Sequence, residues 1–512
     1  MSNAAPDTTD FATLAQARAA WDAGDHDAAL RVFAAAVTER PGNLRALLET
    51  ARALGARFHT GPAAHLLDKA LEVAGDDPRL RTVVAASWTH LFREDRAIGL
   101  LESISPRPAA ARAELAALYE RTHRLDAALA QIDACLTDAP DAPELLLARG
   151  RLLRRMGEGA MAKRDLGRVL DMARAPLVLA EAWTELCFVH DRDGESAAAV
   201  AAIEKAHALM RAQPGVGRLL ARAAANNRAI TTLSQSFRRK NLDGWRATEP
   251  APVPGAARIG HLIGFPRSGT TLLEQRLDAH PEIVASPERV AFLRDALPAM
   301  CRAGGGPLTL AALDAVPPAV LARERHLYLM RLQSALGAPI AGRLHLDKNP
   351  NHTGVVPGLM RLFPRGRIVV ALRDPRDVVT SCVLRSFRLS EFSAMLLDWQ
   401  TAAELYAVEM GAWLRYRAEL DPACWVETRY EDGIDDPEAQ MRRVLAAFDL
   451  PWDDAVLDYR ARIQHKVVNS PTQTEVRLPA YRTAMGRWRA YEPWLRPYLP
   501  ILDPFIDAFG YR

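Results

Sequence analysis

A chain of 512 residues is too long for one ordinary hydrophobic core, so at least two domains are expected. With 49% hydrophobic and 25% charged residues the composition excludes a disordered or fibrous protein. A net charge of +3 makes no case for a nucleic-acid partner, although it conceals local clusters. The chain opens with MSNAAPDTTDFATLAQ, in which no basic segment precedes an apolar run, and no later apolar stretch approaches bilayer-spanning length. A cytoplasmic protein without a membrane span is therefore expected. Cys135, Cys187, Cys301, Cys382 and Cys424 stand far apart with no CxxC pair, which reads as reduced thiols and not as a disulfide framework or zinc site.

Residues 11–214 are rich in Ala, Leu, Arg and Glu and repeat themselves. A small residue recurs at Ala29, Ala63, Ala97, Ala128, Ala162 and Ala199, at intervals of 34, 34, 31, 34 and 37. Four positions on stands a larger apolar residue, Phe33, Leu67, Leu101, Ile132, Leu166 or Ile203. Three beyond that comes Ala36, Ala70, Ile104, Cys135, Val169 or Ala206. This spacing puts the three on one helix face, where the alanine admits a neighbouring helix and the bulky residue fills the gap. Pro41, Pro78, Pro140 and Pro214 punctuate the pattern. A period near 34 resembles the tetratricopeptide repeat, a helical hairpin that stacks into an all-α solenoid and presents a surface to a peptide or partner. A packing scaffold for the following domain is the plainer alternative.

Residues 215–258 begin with a predicted helix to about Leu233, then FRRKNLDGW, then TEPAPVPGAAR, whose prolines and Gly255 mark a boundary. Arg238, Arg239 and Lys240 read as a solvated basic turn or, less simply, as the edge of a nucleotide entrance. From residue 259 to 512 the pattern changes. ARIGHLIGF, GRLHLD, RIVVALRD and CWVETRY read as strands alternating with helices, hence an α/β domain with a central parallel sheet. Ligands of such sheets bind beyond the carboxyl ends of the strands.

GFPRSGTT, residues 264–271, follows the first strand and precedes a helix. Strand, glycine-containing loop and helix N-terminus form an anion cradle of backbone N–H groups. The frame is that of GxxxxGK[ST] with Thr270 at the lysine position, which argues against a magnesium-dependent ATPase or kinase. The cation has moved into the loop as Arg267; Ser268, Gly269, Thr270 and Thr271 supply amides and hydroxyls. PRSGTTLLEQRLDAHP resembles the 5′-phosphosulfate loop of sulfotransferases that use 3′-phosphoadenosine-5′-phosphosulfate (PAPS), most closely the tyrosylprotein and related bacterial branch. In that family an Arg–x7–Ser pair binds the 3′-phosphate, and here Arg373 and Ser381 have that spacing, with Arg385 one helical turn on. Arginine suits a phosphate because its planar fork bonds two oxygens at once.

Sulfuryl transfer to a hydroxyl needs a base for the acceptor's proton and cations for the charge on the departing phosphate. The resemblance implies Glu288, in SPERV, as the base and Lys348, in HLDKNPNH, as the catalytic lysine, with Arg267 as a further catalytic cation. Each also has a plain reading: a helix-terminal carboxylate for Glu288 and a loop lysine paired with Asp347 for Lys348. His280, His345 and His352 are rival bases, and no HxH or HExxH arrangement supports a metal. The resemblance further implies Tyr430 against adenosine, and Arg482 and Arg487 as phosphate contacts in VRLPAYRTAMGRWRAY; their plain readings are a core or cap role for the tyrosine and surface cations for the arginines. Gly486 departs from that family, standing where the tyrosylprotein enzymes have a serine. The expected activity is PAPS-dependent sulfuryl transfer to a hydroxyl of a peptide tyrosine, glycan, lipid or small alcohol, without metal. The alternative is a helical-repeat interaction protein with a vestigial nucleotide-binding domain.

Overall fold

The computed structural model describes residues 8–57, 59–249, 258–286, 288, 291–336, 340, 342–459 and 484–512. Two compact units result: one runs up to Glu158 and takes in a short piece from Arg331, and the other begins at Gly159. Among the described residues no helix is long and apolar enough to cross a membrane.

The first unit contains helices α1 (Thr8–Asp22), α2 (His26–Glu39), α3 (Leu44–Ala56), α4 (Thr60–Ala74), α5 (Pro78–His90), α6 (Glu94–Glu102), α7 (Ala109–Arg121), α8 (Leu125–Asp138) and α9 (Pro143–Met156). The second opens with α10 (Gly159–Met172), α11 (Pro176–Arg192), α12 (Ser196–Arg211), α13 (Val216–Ser236) and α14 (Arg239–Ala247). Side-chain caps start several of them: Asp25 accepts from the Ala28 N–H, Asn43 from Ala46, and Asp77 from Arg79 and Leu80. Pro78 occupies the first turn of α5, where its missing N–H is not needed. The repeated alanines Ala29, Ala63, Ala97, Ala128, Ala162 and Ala199 are each 0% exposed and fall on the even-numbered helices α2 to α12. Their apolar partners four positions later are buried too, as the 3.6-residue period requires. This is the packing of an all-α tetratricopeptide array.

FRRKNLDGW, where no helix was expected, enters α14: the Arg238 N–H donates to Asn241 Oδ1 at 3.1 Å, and Trp245 is buried with its indole N–H on Asp314 at 2.7 Å. Arg238 and Arg239 lie beside Glu419 and Asp421, at 3.8 and 3.7 Å, so these cations open a helix and do not form the turn that was expected.

Among the described residues five parallel strands follow: β1 (Arg258–Gly264), β2 (Ile283–Ser286), β3 (Leu344–Lys348), β4 (Arg367–Leu372) and β5 (Trp425–Arg429). Their order is β2-β3-β1-β4-β5. Leu262 is level with Lys348 on one side and Val369 on the other, and Gly264 with Ala371. Between them run α15 (Thr270–Asp278), α16 (Leu297–Ala303), α17 (Leu310–Asp314), α18 (Pro318–Leu336), α19 (Val356–Leu362), α20 (Pro375–Val383), α21 (Glu391–Ala394) and α22 (Trp399–Glu419), and after the last come α23 (Tyr430–Asp435) and α24 (Pro437–Ala447). Leu262, Leu277, Leu346, Val369 and Val444 join strands to α15 and α24 in one core. Burying each such side chain stabilises the fold by roughly 1.5–3 kcal/mol.

Successive connections run to one side of β1 and then to the other, and in such sheets ligands bind beyond the carboxyl ends of the strands at that switch. Gly264 ends β1 at φ +144°, and a Cβ there would lie 2.4 Å from the carbonyl oxygen of Ala371 in the neighbouring strand. Backbone cannot swing aside as a side chain can. Gly264→Ala is therefore expected to lower stability by about 2–3 kcal/mol, read as the urea midpoint. A wild-type midpoint would mean that the strand ends have room.

Candidate active site

The loop after β1 is held from several directions. Thr353 accepts from the Gly264 N–H at 3.0 Å and donates to the same residue's carbonyl. Ser268, Thr270 and Thr271 are 3%, 4% and 6% exposed at the start of α15, whose N-terminal amides supply partial positive charge. Arg267 sits at φ +74°, a conformation costly to a residue with a side chain and sustained only by its surroundings. Those surroundings are the second motif: Arg267 Nε donates to Ser381 Oγ at 3.1 Å, and Arg373 Nη1 donates to the Arg267 carbonyl at 3.2 Å.

Arg373 follows β4 directly, and Ser381 lies on α20, capped by Asp374. The Arg373 guanidinium stands 5.4 Å from the Tyr430 ring centroid and 3.8 Å from Asp377. Tyr430 opens α23 just past β5 and packs against Gly269. Arg385 comes just after α20, its guanidinium 5.4 Å from the ring of Phe188. Cys382, beside Ser381, has its thiol pushed up to about 12 by burial, against the pull of Arg267, Arg385 and Arg373, all within its field. Arg267, Arg373 and Ser381, from segments a hundred residues apart, thus meet in one place.

Lys348 ends β3 and is 0% exposed. Its ammonium lies 2.8 Å from Glu288 Oε1 and 3.2 Å from Glu274 Oε2. Burial works against its charge, but the carboxylates of Glu274 and Glu288 outweigh it and raise its pKa above the ordinary lysine value. Lys348 is thus a fixed cation. Glu288 follows β2, and its side chain keeps 39% exposure. Glu274, on α15 and 1% exposed, is a site residue that sequence reasoning missed. Its one signal is position: a carboxylate between the core residues Leu273 and Leu277, one turn into the loop's helix.

Asp347 does not pair with Lys348 as the plain reading had it. Burial pushes its carboxyl up to about 7, opposed by the Tyr328 hydroxyl that donates to it. The rival histidines are enclosed. Burial brings His345 down to about 3, and holds His352 well below the usual imidazole range. His280 accepts from the Glu282 N–H at 3.1 Å through Nδ1, so its Nε2 donates to the Pro451 carbonyl at 3.0 Å. Both nitrogens are occupied.

Arg482 lies outside the described residues. Gly486 adopts φ +69°, and its N–H donates to Asp377 at 2.7 Å. That left-handed backbone favours glycine over serine. Arg487 is engaged by Asp191 of α11, at 2.7 Å. Among the described residues no group of three or more His, Cys, Asp or Glu side chains could hold a metal ion.

Every strand of the sheet delivers a residue to this edge. A profile described as the Sulfotransferase family matches residues 261–454, and one described as Tetratricopeptide repeat matches residues 20–86. The chain carries a C-terminal sulfotransferase domain preceded by tetratricopeptide repeats. Among relatives, Protein-tyrosine sulfotransferase 1 of Danio rerio is 27% identical over 262 residues, covering 48% of this chain and 70% of that protein. Protein-tyrosine sulfotransferase A of Caenorhabditis elegans is 27% identical over 259 residues, covering 48% and 63%. An uncharacterised protein of Aquifex aeolicus (strain VF5) is 26% identical over 266 residues, covering 48% and 34%. The chain thus spans about a third of the Aquifex protein and less than two thirds of the nematode one.

Proposed function

We propose that this protein transfers the sulfuryl group of PAPS to an acceptor hydroxyl, in the cytoplasm and without a metal ion. The observation that carries the reading is the pair of hydrogen bonds joining the two anion motifs, Arg267 to Ser381 at 3.1 Å and Arg373 to the Arg267 carbonyl at 3.2 Å. A nucleotide phosphorylated at two separate positions needs two such anion pockets side by side.

PAPS, when bound, supplies an activated sulfuryl group on its 5′-phosphate and a separate 3′-phosphate. Arg267 and the amides and hydroxyls of 268–271 fit the first; Arg373, Ser381 and Arg385 fit the second, with Tyr430 offering its ring to adenosine. Glu288, the exposed carboxylate of the site, takes the proton of the acceptor hydroxyl. Lys348 and Arg267 offset the charge that develops on the leaving phosphate. The absence of a lysine at position 270 suits a phosphosulfate, which carries less charge than a triphosphate and needs no magnesium to bridge phosphates.

The likeness to protein-tyrosine sulfotransferases of Danio rerio and Caenorhabditis elegans favours a peptide tyrosine over a glycan, lipid or small alcohol as acceptor. Tetratricopeptide repeats add a surface for a peptide or partner protein. Incubating the purified chain with radiolabelled PAPS and fractionated lysate tests both donor and acceptor. Label is expected in protein tyrosine, in the presence of EDTA as in its absence. Failure to bind adenosine 3′,5′-bisphosphate would leave the repeats as the function and the nucleotide fold as a remnant. Magnesium-dependent turnover of ATP would restore the kinase reading.

A further inference from the structure

Two arginines of the proposed donor site, Arg385 and Arg487, contact a helix that belongs to the repeats. The Arg487 Nη2 lies 2.7 Å from Asp191 Oδ1 on α11, and its Nε donates to the same oxygen at 3.1 Å. The Tyr491 hydroxyl donates there too, at 2.6 Å. Three residues earlier on α11, the Phe188 ring lies 5.4 Å from the Arg385 guanidinium. Cys187, next in line, is pushed up to about 12 by burial and by Asp191, while Arg487 and Arg385 pull the other way. Both guanidiniums therefore flank one patch of α11.

The turn that carries Arg487 is fixed to α20 from the other side. The N–H groups of Gly486 and Trp488 both donate to Asp377, at 2.7 and 2.8 Å, and Asp377 stands one turn before Ser381. Arg487 is held between those two anchors. We infer that Asp191 and Phe188 of α11 are positioning residues for the donor nucleotide, holding Arg487 and Arg385 beside Ser381 to receive the 3′-phosphate. This rests on the PAPS reading.

A guanidinium has five donor hydrogens, so a carboxylate can fix it and leave donors for a phosphate. Fixing it beforehand removes rotamer entropy that binding would otherwise cost. Phe188 does the same for Arg385 through its ring face, where an arginine stacks favourably. The donor site then includes a wall made by the repeats, and the sulfotransferase domain is incomplete without α11.

The test titrates the full chain with adenosine 3′,5′-bisphosphate and, separately, with adenosine 5′-monophosphate. Asp191→Asn keeps the shape and removes the charge. It is expected to weaken the bisphosphate by about tenfold, the scale of a hydrogen bond to a charged group. The monophosphate, which lacks the group being read, is expected to change by less than about twofold. In an Arg487→Ala background the same substitution should add nothing, because its effect passes through that arginine. Equal weakening of both nucleotides, or an undiminished effect in the Arg487→Ala background, would overturn the inference, as would no effect at all. A wild type that does not prefer the bisphosphate sinks the PAPS reading itself, and this one with it.

Discussion

Lys348→Ala is expected to abolish turnover and to lower the unfolding free energy by about 3–5 kcal/mol, the cost of removing one partner from a buried ion pair. Both effects follow from one geometry. The lysine is 0% exposed and lies 3.2 Å from Glu274, itself 1% exposed, so its loss strands a carboxylate in the interior. The pH dependence has a definite sign. A lysine whose folded pKa is raised contributes stability in full below its unfolded value near 10.4, and loses it as pH climbs through the higher folded value. The deficit of the variant should therefore be flat from pH 7 to 9. A companion change, Lys348→Met with Glu274→Gln, should recover much of the stability and none of the turnover. Urea midpoints and a transfer assay on the same preparations separate the two. Turnover in the stable double variant would remove Lys348 from the chemistry.

The difference between what the residues announce and what the fold assembles lies in sequence distance. The loop at 264–271 is contiguous, and Arg373 and Ser381 are tied by one strand end and one helix, so local spacing already puts their chemistry together. The repeats are legible for the same reason, since the buried alanines recur within hairpins. Spacing also has limits there. The pattern runs unbroken through α12, yet α10 to α12 group with the sheet, because a repeat signature encodes how helices pack on each other and not what lies beyond them. The strand β2 has only four residues, too few for a period to emerge. Glu274 and Asp191 were invisible because their roles come from partners 74 and 296 positions away, Lys348 and Arg487. The serine-to-glycine departure at Gly486 became intelligible only with its backbone angle of +69°.

Glu288→Gln is expected to cut turnover a hundredfold or more, on the order of what general-base catalysis contributes, while leaving the affinity for adenosine 3′,5′-bisphosphate unchanged. The separation is physical. Glutamine keeps the size of the side chain and an oxygen that can accept from Lys348, now 2.8 Å away, but it has no lone pair basic enough to take a proton from a hydroxyl. Position also singles this residue out. Glu288 retains 39% side-chain exposure and can meet an incoming acceptor, whereas Glu274 on the other side of the same ammonium is enclosed. Fold stability should fall far less than in Lys348→Ala, because the glutamine oxygen still accepts from the ammonium and Glu274 still offsets its charge. That contrast with Lys348→Ala makes the two variants informative as a pair: one loses chemistry and packing together, the other chemistry alone. Near-normal turnover in Glu288→Gln would transfer the base to another group. It would not be His280, whose two nitrogens are already committed to Glu282 and Pro451. Glu274 would then be the next carboxylate to replace, and the acceptor would have to enter deeper than the exposed edge of the site.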